Sequence, residues 1–227
     1  MEAYFLGRAD YEPTWQLQER LRQRVLGGGP EVVLLVEHPP VLTLGRSALP
    51  TDITAAAATL AGSGVAVVRT SRGGKVTYHG PGQLLIYPIV RLRQGVVRHV
   101  EALAAAAVTV AAQLGVAAGF ERERVGVFVG ARKLAAIGVH VQRRVAIHGM
   151  AVNVTAEACA AFRRGWFLPC GELGGQVTCL AEEVGRPVPL TAVGQALLTA
   201  LCDELGTPAP GLQPATPSLL AASLFVE

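Results

Sequence analysis

The stretch VGVFVGARKLAAIGVHVQRRVAIHGMAVNV, residues 125–154, decides the fold class. Three short apolar runs, VGVFVG at 125–130, LAAIGVHV at 134–141 and VAIHGMAVNV at 145–154, follow one another with no helical pattern between them. Strands joined without a helical crossover pair antiparallel, so this portion of the sheet is antiparallel. Outward from it, further strand signals at 32–37, 41–45, 65–70 and 84–90 alternate with helical patterns at 11–26, 53–61, 98–114 and 190–205. Pro13 suits the first turn of a helix that the glycines at 27–29 end. The expectation is an α/β (α+β) fold with a mixed β-sheet and packed helices. The Pro-punctuated tail from about 208 to 227 wraps the body, with LLAASLF docking as a short helix.

Composition narrows the function classes. With 227 residues, 51% hydrophobic and 16% charged, the chain is neither disordered nor fibrous, and its length admits one large domain or two small ones. A net charge of +3, scattered in pairs such as Arg143-Arg144 and Arg163-Arg164, is too thin for nucleic-acid binding but suits an acidic protein partner. The uncharged stretch 102–120 reaches membrane-spanning length, yet it is mostly alanine interrupted by Thr109, Gln113, Gly115 and Gly119, which reads as a packed helix and a turn. No secretory signal is visible in MEAYFLGRAD, so a cytoplasmic location with no membrane partner is expected. Cys159, Cys170, Cys179 and Cys202 have neither CxxC spacing nor a His cluster at zinc-ligand spacing, so no metal is expected and they read as free thiols; no cofactor is expected either.

The basic residues are 18 arginines and two lysines, Lys75 and Lys133. A buried amine can exchange its proton near neutral pH and a guanidinium cannot, so a lysine in such a sequence is worth locating. Lys133 enters the small apolar run RKLAAIGVHV at 132–141, whereas Lys75 sits in a glycine-rich loop where a solvent-facing cation would serve. In SRGGKVTYHGPGQLLIYPIV at 71–90, two glycine pairs bracket a short β segment bearing Arg72, Thr77, Tyr78 and His79, which could orient a polar carbonyl beside an apolar wall that includes Tyr87. The loop matches no phosphate-binding pattern. In FLPCGELGG at 167–175, Cys170 lies between Pro169 and Gly171 at a chain reversal, where a nucleophile is presented, whereas Cys159 and Cys202 sit in helical patterns as small buried hydrophobes. A free thiol is only a few per cent thiolate at neutral pH, and an ammonium about 4 Å away would favour the thiolate by up to about 4 kcal/mol before desolvation. HGMAVNV at 148–154 adds His148, Gly149 and Asn153, as a core strand or as a binding strand.

Taken together, RGGKVTYHGPGQL at 72–84, KLAAIGV at 133–139, HGMAVNV at 148–154 and PCG at 169–171 resemble the lipoyl(octanoyl) transferase family, with the match running from VEHPPVLTLGR at 36–46 to about residue 180. The resemblance implies the biotin/lipoate protein ligase-like fold as a single catalytic domain over 1–227. It also implies transfer of an octanoyl group from octanoyl-acyl carrier protein to a lysine of lipoyl domains, those of 2-oxoacid dehydrogenase E2 subunits and the glycine cleavage H protein. By carry-over, Cys170 is the nucleophile that becomes the acyl-thioester and Lys133 lowers its pKa. The acyl-substrate segments are Arg72, Gly73, Gly74, Lys75, Val76, Thr77, Tyr78 and His79, then Ala136, Ile137 and Gly138, then Gly149, Met150 and Ala151. The chain departs from the family in carrying Thr178-Cys179 where Thr-Ser is usual. The alternative on the same fold is an ATP-dependent lipoate or biotin protein ligase, which needs no cysteine nucleophile; the GRGRxG-type loop of biotin ligases is absent.

Overall fold

A computed structural model describes residues 1–168 and 176–224. The strands β1 (Glu2–Arg8), β2 (Val32–Glu37), β6 (Gln83–Ile89), β7 (Gly119–Glu121), β8 (Gly126–Val129), β9 (Arg132–Gln142), β10 (Val145–Asn153) and β11 (Leu212–Pro214) form one sheet in the order β11-β1-β2-β6-β10-β9-β8-β7. β1 pairs in parallel with both β2 and β11, and the other pairings are antiparallel. A second sheet places β3 (Val41–Leu44) between β4 (Ala66–Arg69) and β5 (Val76–His79).

The central strands are apolar along their whole length because both faces of the large sheet are covered. Val32, Leu34 and Val36 of β2 join Leu85, Tyr87 and Ile89 of β6 beneath Leu17, Leu21 and Val25 of helix α1 (Tyr11–Leu26). The alternate residues Val33, Leu35, Leu84 and Ile86 face Leu103, Ala107 and Val110 of α3 (Val96–Gln113) and Leu197 and Leu201 of α6 (Leu190–Leu205). By length and composition α3 could cross a membrane. Its alanines at 102, 104, 106, 107 and 111 are buried instead against the sheet and α6, where small side chains allow close packing. The tail wraps as expected: β11 extends the sheet edge beside β1, and α7 (Pro217–Leu224) buries Leu220 in the α1 cluster.

The predicted helix over 53–61 is shorter in the structure. A 3₁₀ turn occupies Pro50–Asp52, Ile53 bridges to Phe167, and α2 runs only over Ala57–Gly62, because the bridge takes the backbone groups a longer helix would use.

One local distortion shapes the site. Where His148 of β10 comes level with β6 it meets Pro88, which has no N–H to donate to the ladder. His148 turns to the left-handed region (φ 58) and its N–H donates to Gln18 Oε1 at 2.7 Å. At the next residue the strands approach so closely that a Cβ on Gly149 would lie 2.1 Å from the Ile86 carbonyl oxygen. Gly149→Ala is therefore expected to cost about 3 kcal/mol of stability, read as a lower urea midpoint with an unchanged slope; a midpoint equal to that of the parent would mean the strands part freely.

Candidate active site

A cavity of about 220 Å³ opens between the first turn of α1, the loop at 72–75, β5 and the middles of β9 and β10. Its lining includes every residue of the three expected acyl segments except Tyr78: Arg72 to Thr77 and His79 from the first, Ala136, Ile137 and Gly138 from β9, and Gly149, Met150 and Ala151 from β10. Tyr78 points the other way on β5, as strand alternation requires, and packs on Leu42 and Phe162. Lys75 lines the cavity and is half-buried, not solvent-facing.

The glycine loop is held by its backbone. The Gly73 N–H donates to the Val139 carbonyl at 3.0 Å, and the Ser47 N–H to the Gly74 carbonyl at 3.1 Å. A Cβ on Gly45 would meet the Gly74 oxygen at 2.3 Å, so that glycine permits the two turns to touch. Arg72 is buried with its guanidinium turned inward, where Nε donates to Thr43 Oγ1 at 3.0 Å and Nη1 to the Gly73 carbonyl at 3.0 Å.

Beneath the loop lies a floor of buried rings. Tyr11, His79, Tyr87 and His148 line the cavity, and His38 stands behind them. The His38 Nδ1–H donates to the Ala9 carbonyl at 2.6 Å, which leaves Nε2 to accept from the Tyr87 hydroxyl at 3.0 Å. Burial lowers the pKa of His38 to about 4; burial, reinforced by Arg72, lowers that of His148 to about 3. His79 is lowered well below its usual value by burial first and by His38 next, whereas burial pushes the Tyr11 hydroxyl up to about 12. At neutral pH the rings and hydroxyls of the floor are therefore uncharged. A neutral floor with apolar walls from Val76, Leu85, Ile137 and Met150 accepts an acyl chain at little electrostatic cost.

These histidines make stability depend on pH. Their folded-state pKa values lie below the unfolded value of about 6.5, so on acidification the unfolded chain takes up protons first. His99 on α3, lowered to about 4 by burial, adds to the effect. The expected result is a thermal midpoint that is flat above pH 7 and falls steeply between about pH 6.5 and 4. A midpoint unchanged down to pH 5 would mean that the rings are already charged in the fold.

Lys133 stands at the start of β9, beside a register shift in its pairing with β8. Its Nζ donates to the Arg124 carbonyl at 3.4 Å and lies 5.1 Å from the Phe128 ring centroid, while Gly126 leaves room for Cε. Arg124, which it touches, lines the cavity mouth with Glu123 and Val125. The Lys133 N–H donates to the Gln176 carbonyl at 2.8 Å, and its own carbonyl accepts from the Thr178 N–H at 3.0 Å. The chain that follows segment 169–175 thus runs alongside Lys133. Cys170 itself lies outside the described residues.

A chain of neutral hydrogen bonds joins floor to strand end. The His79 Nδ1–H donates to Gln83 Oε1 at 2.6 Å, Gln83 Nε2 to Asn153 Oδ1 at 2.9 Å, and Asn153 Nδ2 to the Thr178 carbonyl at 3.0 Å. Sequence reading missed Tyr11, His38, Thr43 and the 123–125 turn as parts of the site. Tyr11 is written into an amphipathic helix and His38 into a turn, and only tertiary packing brings them together. Beside the cavity, a wider groove of about 680 Å³ is lined by Arg46, Arg93 and Arg144, with no carboxylate among its described residues.

Residues 10–202 match the family model of the lipoyl protein ligase A/B catalytic domain. An octanoyltransferase of Chloroflexus aggregans is 42% identical over 209 residues, covering 89% of this chain and 93% of the relative. One of Mycolicibacterium smegmatis is 39% identical, covering 90% and 89%. The chain belongs to the octanoyltransferase branch of the lipoyl protein ligase A/B family. The family fold agrees with solved structures: a bipartite lipoate protein ligase of Thermoplasma acidophilum superposes with a TM-score of 0.72 at 16% identity, covering 99% of this chain and 92% of that one. A biotin protein ligase of Aquifex aeolicus superposes with a TM-score of 0.57 at 13% identity, covering 90% and 70%. These likenesses bear out the biotin/lipoate ligase-like fold and the mixed sheet expected of this octanoyltransferase family member.

Proposed function

We propose that the protein transfers an octanoyl group from octanoyl-acyl carrier protein to a lysine of a lipoyl domain through an acyl-thioester on Cys170. The observation that carries this reading is that one cavity is lined by all three expected acyl segments except Tyr78, with Lys133 hydrogen-bonded to Arg124 of its lining. Octanoyltransferase relatives about 40% identical along most of the chain support the acyl group, and the match to the lipoyl protein ligase A/B catalytic domain supports a lipoyl-domain acceptor. The Cys170 thiolate attacks the donor carbonyl, the carrier thiolate leaves, and the exchange is nearly isoenergetic because one thioester replaces another. The acceptor amine then attacks the enzyme thioester and expels the Cys170 thiolate. Lys133 takes the thiol proton in the first half and passes a proton to the departing carrier sulfur; in the second half it accepts the proton that the attacking amine loses. N–H groups of the glycine-bearing loops stabilise the tetrahedral oxyanion. The arginine groove that borders the cavity where Val139 follows Gly138 suits an acidic carrier, and this chemistry belongs in the cytoplasm.

Octanoyl-acyl carrier protein and an apo lipoyl domain, mixed with the enzyme without nucleotide, are expected to give the octanoylated domain. Octanoylation only from free octanoate and ATP, with release of pyrophosphate, would make the protein a ligase instead. Arg46→Glu with Arg93→Glu is expected to raise KM for the carrier donor about tenfold at low salt and to leave kcat unchanged; an unchanged KM would place the carrier elsewhere.

A further inference from the structure

Cys159 on α4 (Ala156–Ala160) and Cys179, the residue before α5 (Leu180–Val184), lie on either side of segment 169–175. Both are fully buried, and their sulfur atoms lie within 4.8 Å of each other and of a carboxylate oxygen of Glu182. The sequence gives no hint of this, because the spacing matches no thiol motif and the two meet only through the fold. Cys179 sits where sulfur chemistry is favoured. A hydrogen bond from the Cys159 thiol and the backbone N–H groups of Glu182 and Ala181 pull its pKa down, while the same contact and burial push Cys159 up. The pair thus combines one sulfur disposed to ionise with a thiol in contact with it, the arrangement from which a disulfide forms. Next to the pair on the Glu182 side stands the Arg163–Glu182 ion pair at 2.8 Å, in which the arginine side chain is 60% exposed, and such a pair costs little to open.

We propose that Cys159 and Cys179 form a modification site at which a small peroxide generates an intramolecular disulfide, tying together the two chain segments that flank 169–175. The Cys179 thiolate attacks a peroxide oxygen and the O–O bond breaks, giving a sulfenic acid and hydroxide, which takes up a proton as water. The Cys159 sulfur then attacks the Cys179 sulfur, the S–O bond breaks, and the hydroxide leaves with the Cys159 proton as a second water. The two thiols together lose two electrons and the peroxide gains them. A bound metal ion is the less favoured occupant, because Glu182 is engaged by Arg163, whose guanidinium opposes a cation beside the sulfurs.

The test uses the full-length Cys170→Ala variant, so that the thiol proposed for catalysis does not contribute. After treatment of the reduced protein with hydrogen peroxide, and before any thiol is blocked, the expected result is a loss of about 2 Da. Peptide mapping is expected to show a fragment linking 159 to 179, and dithiothreitol to reverse the change. Adding Cys159→Ala, or in a parallel variant Cys179→Ser, is expected to abolish the link, with circular dichroism confirming the fold of each. Oxygen addition without a link, a link to Cys202, no reaction, or a stoichiometric metal ion that co-purifies and protects both thiols would each overturn the proposal. Read by mass, this outcome is independent of octanoyl transfer.

Discussion

Lys133→Arg is expected to lower octanoyl transfer by at least about 100-fold while the thermal unfolding transition stays in place. The substitution keeps the positive charge and follows the habit of a sequence that writes arginine 18 times in 20. What it removes is an amine that can give up a proton. A guanidinium stays charged at any pH the fold survives, so it can stabilise a thiolate but cannot take the thiol proton and pass one to the departing carrier sulfur, nor accept the proton that the attacking amine loses. The surroundings are also built to the narrower group: Nζ reaches the Arg124 carbonyl across the Phe128 face, and the stem passes Gly126 within 3.2 Å of where a Cβ would stand. Initial rates with octanoyl-acyl carrier protein, measured alongside melting curves, check this. Near-normal turnover would show that positive charge alone is needed and would remove Lys133 from proton transfer.

Cys170→Ala is expected to be more damaging, with turnover reduced by at least about 10⁴-fold, because the covalent route is lost and no other group supplies a nucleophile. The expectation is specific to this thiol. Cys159, Cys179 and Cys202 are fully buried, the first two against each other and the third beside the Met1 sulfur on the far side of the sheet, in the α6 cluster. Cys179→Ser is therefore expected to keep most of the activity of the reduced enzyme. The comparison is a rate measurement on both variants, and an inactive Cys179→Ser protein with a native melting curve would move the nucleophile to Cys179.

The parts of the fold legible in the sequence are those whose pattern was strong enough to survive packing. The three strands between 125 and 154 form β8, β9 and β10, antiparallel neighbours as their continuity required. Helices over 11–26 and 190–205 appear at Tyr11–Leu26 and Leu190–Leu205. The strands that were missed lack a local signal. β11 is three residues with a proline and exists because the β1 edge offers it partners; β7 is equally short; β1 mixes polar and apolar residues at a sheet position buried from only part of its length. The β9–β10 turn is Arg143-Arg144, both at positive φ, where Asn-Gly would have announced it. Arg144 is compensated there by hydrogen bonds from its guanidinium to the carbonyls of Leu92 and Arg93.

The site divides in the same way. Residues from contiguous motifs, such as Arg72 to Thr77 and Gly149 to Ala151, could be read because each segment is continuous in the chain. The ring floor could not, because Tyr11, His38, His79 and His148 come from four separate stretches of the chain and meet only when the first turn of α1 packs onto both sheets. The left-handed turn at His148 depends on Pro88 in another strand, a pairing that no local pattern records.

The central claim, an acyl group held on Cys170 between donor and acceptor, is tested most directly by mass spectrometry of the intact enzyme after incubation with octanoyl-acyl carrier protein in the absence of acceptor. The predicted result is a single octanoyl addition that maps to Cys170, is removed by hydroxylamine, and disappears with matching gain on the lipoyl domain when acceptor is supplied. Octanoyl transfer that proceeds with no enzyme-bound acyl group, or with the label on Cys179, would contradict it.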